Sequence, residues 1–408
     1  MRAAEASTTC PAGFPWERPD FGNIPCLPGQ GDPVPPFRTY TVAREPIWII
    51  TRYADVCQVL TASEVSADAH NPGYPLLGQP FGGDIFQPFL RTDPPVHGTL
   101  RKMFSAPFTG RGVAELLPSV WSAASRRIDE FLTRPDHIAD LVHEFAVPVT
   151  MEVILRLIGL PVEDWPELAG PVARFMDAVP LTERANLRES LRAGIKLKSY
   201  FEVAVEEKTQ HCPMHEDLIA TLVQGECDGR IGRDRIISDL VFLVIAGHET
   251  TASMITGAVV TLLDHRDQLA KLRADQSLLP GAVNELLRYL SVVHEIVLRV
   301  ATRDLEVGGC VIPAGEAIAP MVMSANHDSS RFPDAHEFDI SRDARGHLAF
   351  GHGVHRCIGH WLAQVELRVC LELLLTRLPG LRLAVPRDSL RFKSRSPVQG
   401  LVALPVTY

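Results

Sequence analysis

Apolar residues return every three or four positions through most of the middle of the chain. This spacing predicts helices over much of residues 95–290 and again over 358–378, each with one buried face. Three stretches, 38–51, 295–320 and 390–407, instead tend to alternate apolar and polar residues, which predicts strands. The pattern therefore predicts a mainly α protein with small β-sheets, of the α+β class.

The longest helical pattern runs from Asp234 to His265 and predicts a helix roughly 48 Å long at about 1.5 Å per residue. Between Leu240 and Ala246 it is apolar on every side, so this helix is expected to run through the protein interior. A glycine, a carboxylate and two threonines then interrupt the apolar run, in the sequence Ala246-Gly247-His248-Glu249-Thr250-Thr251. Because these residues are unfavourable in a buried helix, a function is expected to account for them.

Thr250 is spaced to act on the backbone of that helix. It follows Ala246 by four residues, so its hydroxyl can bond the Ala246 carbonyl or replace a backbone bond there. Gly247 adds no side chain beside it, and the two together predict a widened groove able to hold dioxygen and a water. The alternative reading treats Thr250 as an ordinary helix residue and Glu249 as a solvated or salt-bridged acid.

A single cysteine lies in a glycine-rich segment directly before another predicted helix. The segment reads Phe350-Gly351-His352-Gly353-Val354-His355-Arg356-Cys357-Ile358-Gly359. Glycines let backbone N–H groups approach the sulfur, and such hydrogen bonds tune the electron donation of a thiolate ligand. A thiol at a helix N-terminus also feels the positive end of the helix dipole, which favours the thiolate. A lone cysteine is usually a small buried hydrophobe, but this surrounding predicts a metal ligand at Cys357.

Both motifs resemble those of the cytochrome P450 family. The cysteine segment matches the family's haem-binding loop, F-x-x-G-x-[H/R]-x-C-x-G, at every defined position, and the run from Ala246 to Thr251 is similar to its A-G-x-[E/D]-T-T signature. The resemblance extends from about residue 40 to the end of the chain. It implies the cytochrome P450 fold, with haem b (iron protoporphyrin IX) between the long central helix and the helix that follows Cys357.

The resemblance also implies an activity. A haem-thiolate monooxygenase inserts one oxygen atom of O2 into an apolar small molecule, by hydroxylation or epoxidation. A polyketide, a terpenoid or a peptide of secondary metabolism is the expected kind of substrate. Three alternatives stay open: a peroxide-driven oxygenase, an oxidative aryl or phenol coupling enzyme, and a haem sensor or carrier without turnover. The first usually lacks an acid–threonine pair, so Glu249 and Thr250 argue against it.

The family's site roles carry over to matching positions of this chain. Cys357 is the implied iron ligand, Thr250 is implied to hydrogen-bond the bound dioxygen, and Glu249 is implied to help pass protons inward. Further cofactor contacts are implied for His97, Arg101, Ala246, Gly247, Arg299, Phe350, Gly351, His355 and Gly359. His97 and Arg101 are four residues apart after Asp93-Pro94-Pro95, where Asp93 is the predicted N-cap, so they share one helix face. Ordinary surface helix residues are the alternative reading of this pair.

Glu285 and Arg288 form an E-x-x-R pair on a predicted helix, where a spacing of three puts both groups on one face. The resemblance implies that this pair is buried and holds the cysteine loop. The family's third member is usually an arginine in a later P-x-x-F segment. Glu337 occupies that place here, so Arg342 is the predicted third partner.

By the same resemblance, substrate contacts come from four segments: 68–92, 170–185, the strand after the E-x-x-R helix, and the turn in the C-terminal tail. The central helix adds further lining residues. The predicted lining comprises Phe81, Phe86, Phe175, Val179, Leu243, Ala246, Ile296, Val297 and Val398. These side chains predict an apolar pocket but do not identify the substrate.

Composition narrows the setting of this site. The 408 residues are 46% apolar and lack a linker-like tract, which predicts one domain over residues 1–408 with a Pro-rich arm over 1–36. A net charge of −9, from 40 basic and 49 acidic residues, argues against nucleic acid as a partner. Eight scattered cysteines, no signal-peptide pattern and no apolar run of about 18 residues predict a cytoplasmic protein outside the membrane.

Electrons for an oxygenase must come from another protein, because the chain has no flavin domain and no nucleotide-binding glycine fingerprint after a strand. A ferredoxin with an NAD(P)H-dependent ferredoxin reductase is the expected pair. Basic residues around Cys357 are expected to dock such an acidic partner, although each of them can also be a solvated surface charge. The predicted docking residues are Arg342, Arg345, Arg356, His360 and Arg368.

Overall fold

The computed structural model describes residues 14, 16–22, 32–41, 44–75, 88–177, 184–210, 217–293, 297–393 and 396–408. In these residues most of the chain is helical, which confirms the predicted class. The helices are α1 Tyr53–Thr61, α2 Val96–Phe104, α3 Gly110–Leu132, α4 Val147–Ile158, α5 Trp165–Asp177, α6 Arg184–Gln210, α7 Leu218–Cys227, α8 Arg233–Asp264, α9 Arg266–Ala274, α10 Leu279–Leu290, α11 Val322–Asn326 and α12 His360–Arg377.

The strands are short, and most fall in the three regions where alternation predicts them; β3, β4 and β9 lie outside those regions. They are β1 Phe37–Tyr40, β2 Pro46–Ile50, β3 Val65–Ser66, β4 Ile138–Asp140, β5 Arg299–Ala301, β6 Leu305–Val307, β7 Cys310–Ile312, β8 Ala317–Pro320, β9 Arg382–Leu383 and β10 Pro405–Thr407. The largest sheet has the order β1-β2-β8-β5-β3, and in it β2 and β8 run parallel. A second sheet, β4-β10-β9, ties the C-terminal end of the chain to the segment between α3 and α4.

Helix α8 is the central element of the helical core. It begins and ends one residue earlier than the pattern predicts, and it packs against α4, α6 and α12. By length and composition this helix could cross a membrane, but 78% of its most apolar window is buried inside the protein. A buried, apolar helix of this length is typical of a core helix, because its side chains are covered by neighbouring helices instead of lipid.

The start of α2 differs from the prediction. Asp93 does not cap the helix: its carboxylate accepts hydrogen bonds from the Ser66 hydroxyl and the Ala67 backbone N–H. Pro95 takes the N-cap position and offers no side-chain hydrogen bond. Asp93 therefore ties the segment before α2 to strand β3, a long-range contact that the local sequence does not indicate.

Candidate active site

A cavity of about 290 Å³ lies between α8 and the segment before α12. Helix α8 contributes the predicted residues Leu243, Ala246, Gly247, Glu249 and Thr250 to its walls, together with Thr251. The cysteine segment contributes Phe350, Gly351, His355, Cys357 and Gly359. The two motifs, about 100 residues apart in sequence, thus line one cavity, and most of the other lining residues are apolar.

Glycine is required in the cysteine segment by its backbone shape. Gly351 and Gly353 have φ angles of +70° and +71°, in the left-handed region that favours glycine. At Gly353 a Cβ atom would also lie 2.5 Å from the Leu60 carbonyl oxygen. With this turn in place, the Cys357 N–H donates to the Phe350 carbonyl at 2.8 Å, which closes the loop around the sulfur.

The thiol of Cys357 is open to the cavity and surrounded by protein elsewhere. Burial raises the pKa of this thiol above its ordinary value, while the Gly359 backbone N–H and the nearby Arg101 and Arg356 guanidinium groups lower it. Burial outweighs the others, so the helix N-terminus alone does not produce the thiolate that the sequence predicts. A bound metal ion would supply the missing stabilisation, because a coordinating thiol loses its proton outright.

Helix α8 continues through the motif without a break, and the widened groove stays a prediction. The Thr250 hydroxyl donates to the Ala246 carbonyl at 2.6 Å, one of the two arrangements that the spacing allows. Gly247 lies against the neighbouring helix, where a Cβ atom would be 2.8 Å from Cδ1 of Ile154 in α4. The glycine therefore allows α4 and α8 to pack closely, and Thr250 still lines the cavity.

Glu249 also lines the cavity and is almost fully buried. Its carboxylate forms an ion pair with Lys393, which lies in the C-terminal tail. Burial raises the pKa of Glu249, but Lys393 and His248 outweigh it, so the pKa lies below its usual value. His248 points away from the cavity, with Nδ1 2.7 Å from the hydroxyl of Thr150 in α4. Glu249 is thus a salt-bridged acid, as in the alternative reading, and the ion pair is buried.

Cationic and imidazole side chains gather at one end of the cavity. Arg101 and Arg299 line it, and the ring centroids of His97 and His355 lie 4.0 Å apart. Burial, with the nearby arginines, lowers the pKa of His97 to about 4 and lowers that of His355 as well, so both rings are neutral near pH 7. Nε2 of His97 and Nδ1 of His355 are buried without a hydrogen-bond partner.

This donor set fits haem. A soft thiol ligand faces the cavity, and the arginines and unpartnered ring nitrogens supply the charge and hydrogen bonds that two propionates need. His97 does not line the cavity itself; its ring packs against those of His355 and Phe89, which do. The sequence did not point to Arg91, a buried arginine that also lines the cavity beside Arg299.

Glu285 and Arg288 form a fully buried ion pair, with Nε–Oε2 at 2.7 Å and Nη2–Oε1 at 2.8 Å. Arg288 also donates to the carbonyl oxygens of Asn326 and Ala335. The structure places Arg342 as the third member, with Nε 3.2 Å from Glu285 Oε1. Asn326 continues the network by accepting from the backbone N–H of Leu348 at 2.7 Å, just before the cysteine segment.

We expect Arg288→Ala to cost about 3–5 kcal/mol of unfolding free energy, because it leaves the Glu285 carboxylate buried without its partner. The measurement is the urea midpoint of the purified protein. Asp343→Ala serves as control: Asp343 pairs with Arg345 on the surface, where screening by water removes most of the interaction. Equal midpoints for Arg288→Ala and the control would contradict the structural role of the pair.

Some of the residues predicted to contact substrate line the cavity. Leu243, Ala246, Val297 and Val398 line the cavity. Phe175 does not: it is fully buried in the helical core, and its neighbour Met176 lines the cavity instead. Adjacent helix residues point about 100° apart, so only one of the two faces the cavity. The predicted residues Phe81, Phe86, Val179 and Ile296 lie outside the described residues.

Glu366 in α12 is a second buried acid at the cavity that the sequence analysis missed. Its Oε1 has no hydrogen-bond partner, and burial raises its pKa well above the ordinary value. A signal was present in the sequence, because Glu366 follows Leu362 by four residues and precedes Val369 by three on the apolar side of the helix. A charged residue at such a position marks a buried polar site.

Comparison with known proteins gives consistent similarities over nearly the whole chain. The sequence model of the family described as Cytochrome P450 matches residues 168–379. Cytochrome P450-SU2 from Streptomyces griseolus is 39% identical, covering 96% of this chain and 98% of that protein. Vitamin D3 dihydroxylase from the same organism is 40% identical, covering 88% and 87%. A crystal structure of mycinamicin VIII C21 methyl hydroxylase from Micromonospora griseorubida, bound to mycinamicin VIII, has a TM-score of 0.85 at 32% identity, covering 98% of this chain and all of that one.

Proposed function

The chain belongs to the cytochrome P450 family, and from that membership we propose that it hydroxylates or epoxidises an apolar small molecule of secondary metabolism, with haem b as its cofactor. One observation carries the proposal: Cys357 and the Glu249–Thr250 pair line the same mainly apolar cavity. A sensor or carrier needs the thiol but not a hydroxyl and a salt-bridged acid beside it. Relatives named as hydroxylases or monooxygenases, of mycinamicin VIII and of a mycaminosyltylactone, support this reaction class.

The position of each residue at the cavity indicates its role in binding haem. Cys357 would bind the iron, and Arg101, Arg299 and His355 would hold the propionates, with His97 supporting His355 from behind. When bound, haem supplies the activation of O2 that no protein side chain provides. Phe350, Gly351 and Gly359 would shape the face of the cavity next to the sulfur, and Ala246 and Gly247 the opposite face.

Thr250 and Glu249 would manage protons at the cavity. The Thr250 Oγ1 carries a proton that it donates to the Ala246 carbonyl, so a polar group arriving in the cavity can take over that hydrogen bond by a side-chain rotation. Glu249 is held ionised by Lys393 and can accept a proton from outside and pass it on. Leu243, Val297 and Val398 would exclude water and bind apolar substrate surface.

Electrons would come from a ferredoxin and its NAD(P)H-dependent reductase in the cytoplasm, a setting that suits the free cysteines among the described residues. Two predicted docking residues are already engaged: Arg342 bonds Glu285 and Arg345 pairs with Asp343. Arg356, which is exposed next to Cys357, and the half-buried Arg368 would be left to meet an acidic partner, together with the exposed Trp361. Burial lowers the pKa of His360, so this ring would add no charge to the surface near pH 7. Tryptophan side chains that become buried on binding are common anchors of protein interfaces, so we propose that Trp361 makes the apolar contact with the partner.

The proposed function is tested by measuring whether an oxygen atom of O2 is incorporated into the product. Compounds that shift the absorption spectrum of the haem-loaded protein are incubated with ferredoxin, reductase, NADPH and ¹⁸O2. The proposal expects one ¹⁸O atom in the product. A coupled product without ¹⁸O would instead identify an oxidative coupling enzyme. Product formed only with added peroxide would identify a peroxide-driven oxygenase, and no product from any ligand that binds would favour a sensor or carrier.

A further inference from the structure

The C-terminal tail contributes to the cavity through one turn, here called the tail turn, formed by residues 391–393 and 396–402. Pro397 and Val398 from this turn line the cavity. Lys393, from the same turn, reaches the buried Glu249 in α8, 144 positions earlier in the sequence. In this pair the Glu249 side chain is 5% exposed and that of Lys393 is 20% exposed, so water screens the interaction only weakly.

The tail turn is fixed by several backbone contacts. Lys393 N–H donates to the Gly400 carbonyl at 2.8 Å, and Gln399 N–H donates to the Val292 carbonyl at 2.7 Å. Gly400 lies so close to α8 that a Cβ atom there would be 2.5 Å from the hydroxyl oxygen of Ser253, one helical turn after Glu249. The position of Lys393 is therefore set by the turn and not by the lysine side chain alone.

The charge of Glu249 depends on this lysine. Burial opposes ionisation of the carboxyl, and the groups that favour it are Lys393 from the tail turn and His248 from α8 itself. Burial lowers the pKa of His248 to about 4, so His248 is neutral near pH 7. Lys393 is then the cation that keeps the Glu249 carboxylate charged and directed toward the tail turn at neutral pH.

We infer that Lys393 is a positioning residue for Glu249, so that the tail turn sets both the shape of the substrate pocket and the delivery of protons at it. This inference rests on the proposed monooxygenase function. Lys393 does not line the cavity; it acts through the Glu249 carboxylate. Without Lys393, the buried Glu249 carboxylate would become protonated or would change its orientation. A smaller share of the reducing equivalents would then be used to form product.

The first arm of the test measures stability and needs no turnover. Because Lys393 lowers the folded-state pKa of Glu249, the ionised carboxylate stabilises the native protein above its unfolded-state pKa, and this stability is lost as pH falls. In Lys393→Met the largest opposing group is gone and burial raises that pKa, so ionisation becomes destabilising as pH rises. The melting-temperature gap between native protein and Lys393→Met should therefore widen from about pH 4 to pH 7. In a Glu249→Gln background the gap should not depend on pH.

The second arm measures product formed per NADPH, with Lys393→Arg as the conservative variant. We expect Lys393→Met to lose about 10-fold, as removal of a supporting partner typically does, with the difference released as peroxide. Lys393→Arg should restore most of the yield. Lys196→Met is the matched control, since Lys196 forms an exposed pair with Glu167, 3.3 Å apart, away from the cavity.

The outcomes separate the inference from its premise. A melting-temperature gap that does not change with pH, or one that changes while Lys393→Met keeps native yield per NADPH, overturns the inference alone. Native protein that binds ligands but incorporates no ¹⁸O overturns the proposed function, and the inference with it. A pH-dependent gap together with a yield restored by Lys393→Arg supports both.

Discussion

Cys357→Ser is expected to remove product formation almost entirely, by more than about 100-fold, because loss of a metal ligand exceeds the loss from a supporting partner. A serine hydroxyl is a far weaker donor to iron than a thiolate, so the oxygen activation that a thiolate-bound haem would supply is lost. The direct measurement is the absorption spectrum of the dithionite-reduced protein under carbon monoxide. The Soret band of thiolate-ligated haem should be present in the native protein and absent in Cys357→Ser.

Cys227→Ser is the matched control, since Cys227 is a free, exposed cysteine at the end of α7. Its spectrum and yield should equal those of the native protein. A reduced-carbon monoxide spectrum unchanged by Cys357→Ser would mean that another residue binds the iron. The assignment of the cavity as a haem site would then have to be rebuilt on His97 and His355.

Thr250→Ala is expected to keep haem and ligand binding but to lower product per NADPH on the order of 100-fold, the lower end of the effect of a positioned proton donor. The hydroxyl that now bonds the Ala246 carbonyl is the one lost, and the methyl group that remains cannot move a proton. Reducing equivalents should be released as peroxide. The measurement compares NADPH consumed, peroxide released and product formed.

Two variants show whether the hydroxyl itself matters. Thr250→Ser keeps it and should recover most of the yield. Thr256→Ala removes a hydroxyl that makes the same kind of bond, to the Ala252 carbonyl at 2.9 Å, but lies away from the cavity. Full yield from Thr250→Ala would refute proton delivery by this residue, and an equal loss in Thr256→Ala would attribute the effect to helix stability.

The fold was predictable where the evidence in the sequence is local. Helical spacing placed α8 and α12 to within two residues, because a buried helix face leaves a regular mark on the sequence. The loop of the cysteine segment could also be predicted, because its glycines are needed for the local backbone conformation. Gly351 and Gly353 have the positive φ angles that other residues avoid.

What could not be predicted depends on partners far away in sequence. The sequence position of Asp93 is typical of an N-cap, but its carboxylate instead accepts hydrogen bonds from the Ser66 hydroxyl and the Ala67 N–H. Gly247 is explained by Ile154 of another helix. Phe175 and Met176 are both apolar, and only the rotation of α5 decides which of them meets the cavity. Local patterns specify which elements form, and tertiary packing decides which side chain reaches the site.

The tail turn carries a consequence for how this enzyme can change its substrate range. Val398 is an obvious position for mutation, whether by natural selection or in a directed-evolution library, because it is an apolar cavity residue that lies outside the helices. Any substitution that shifts its turn also shifts the lysine five residues earlier. Variants chosen only because they consume a new compound would then waste reducing power, so such a library should be ranked by product made for each electron pair spent.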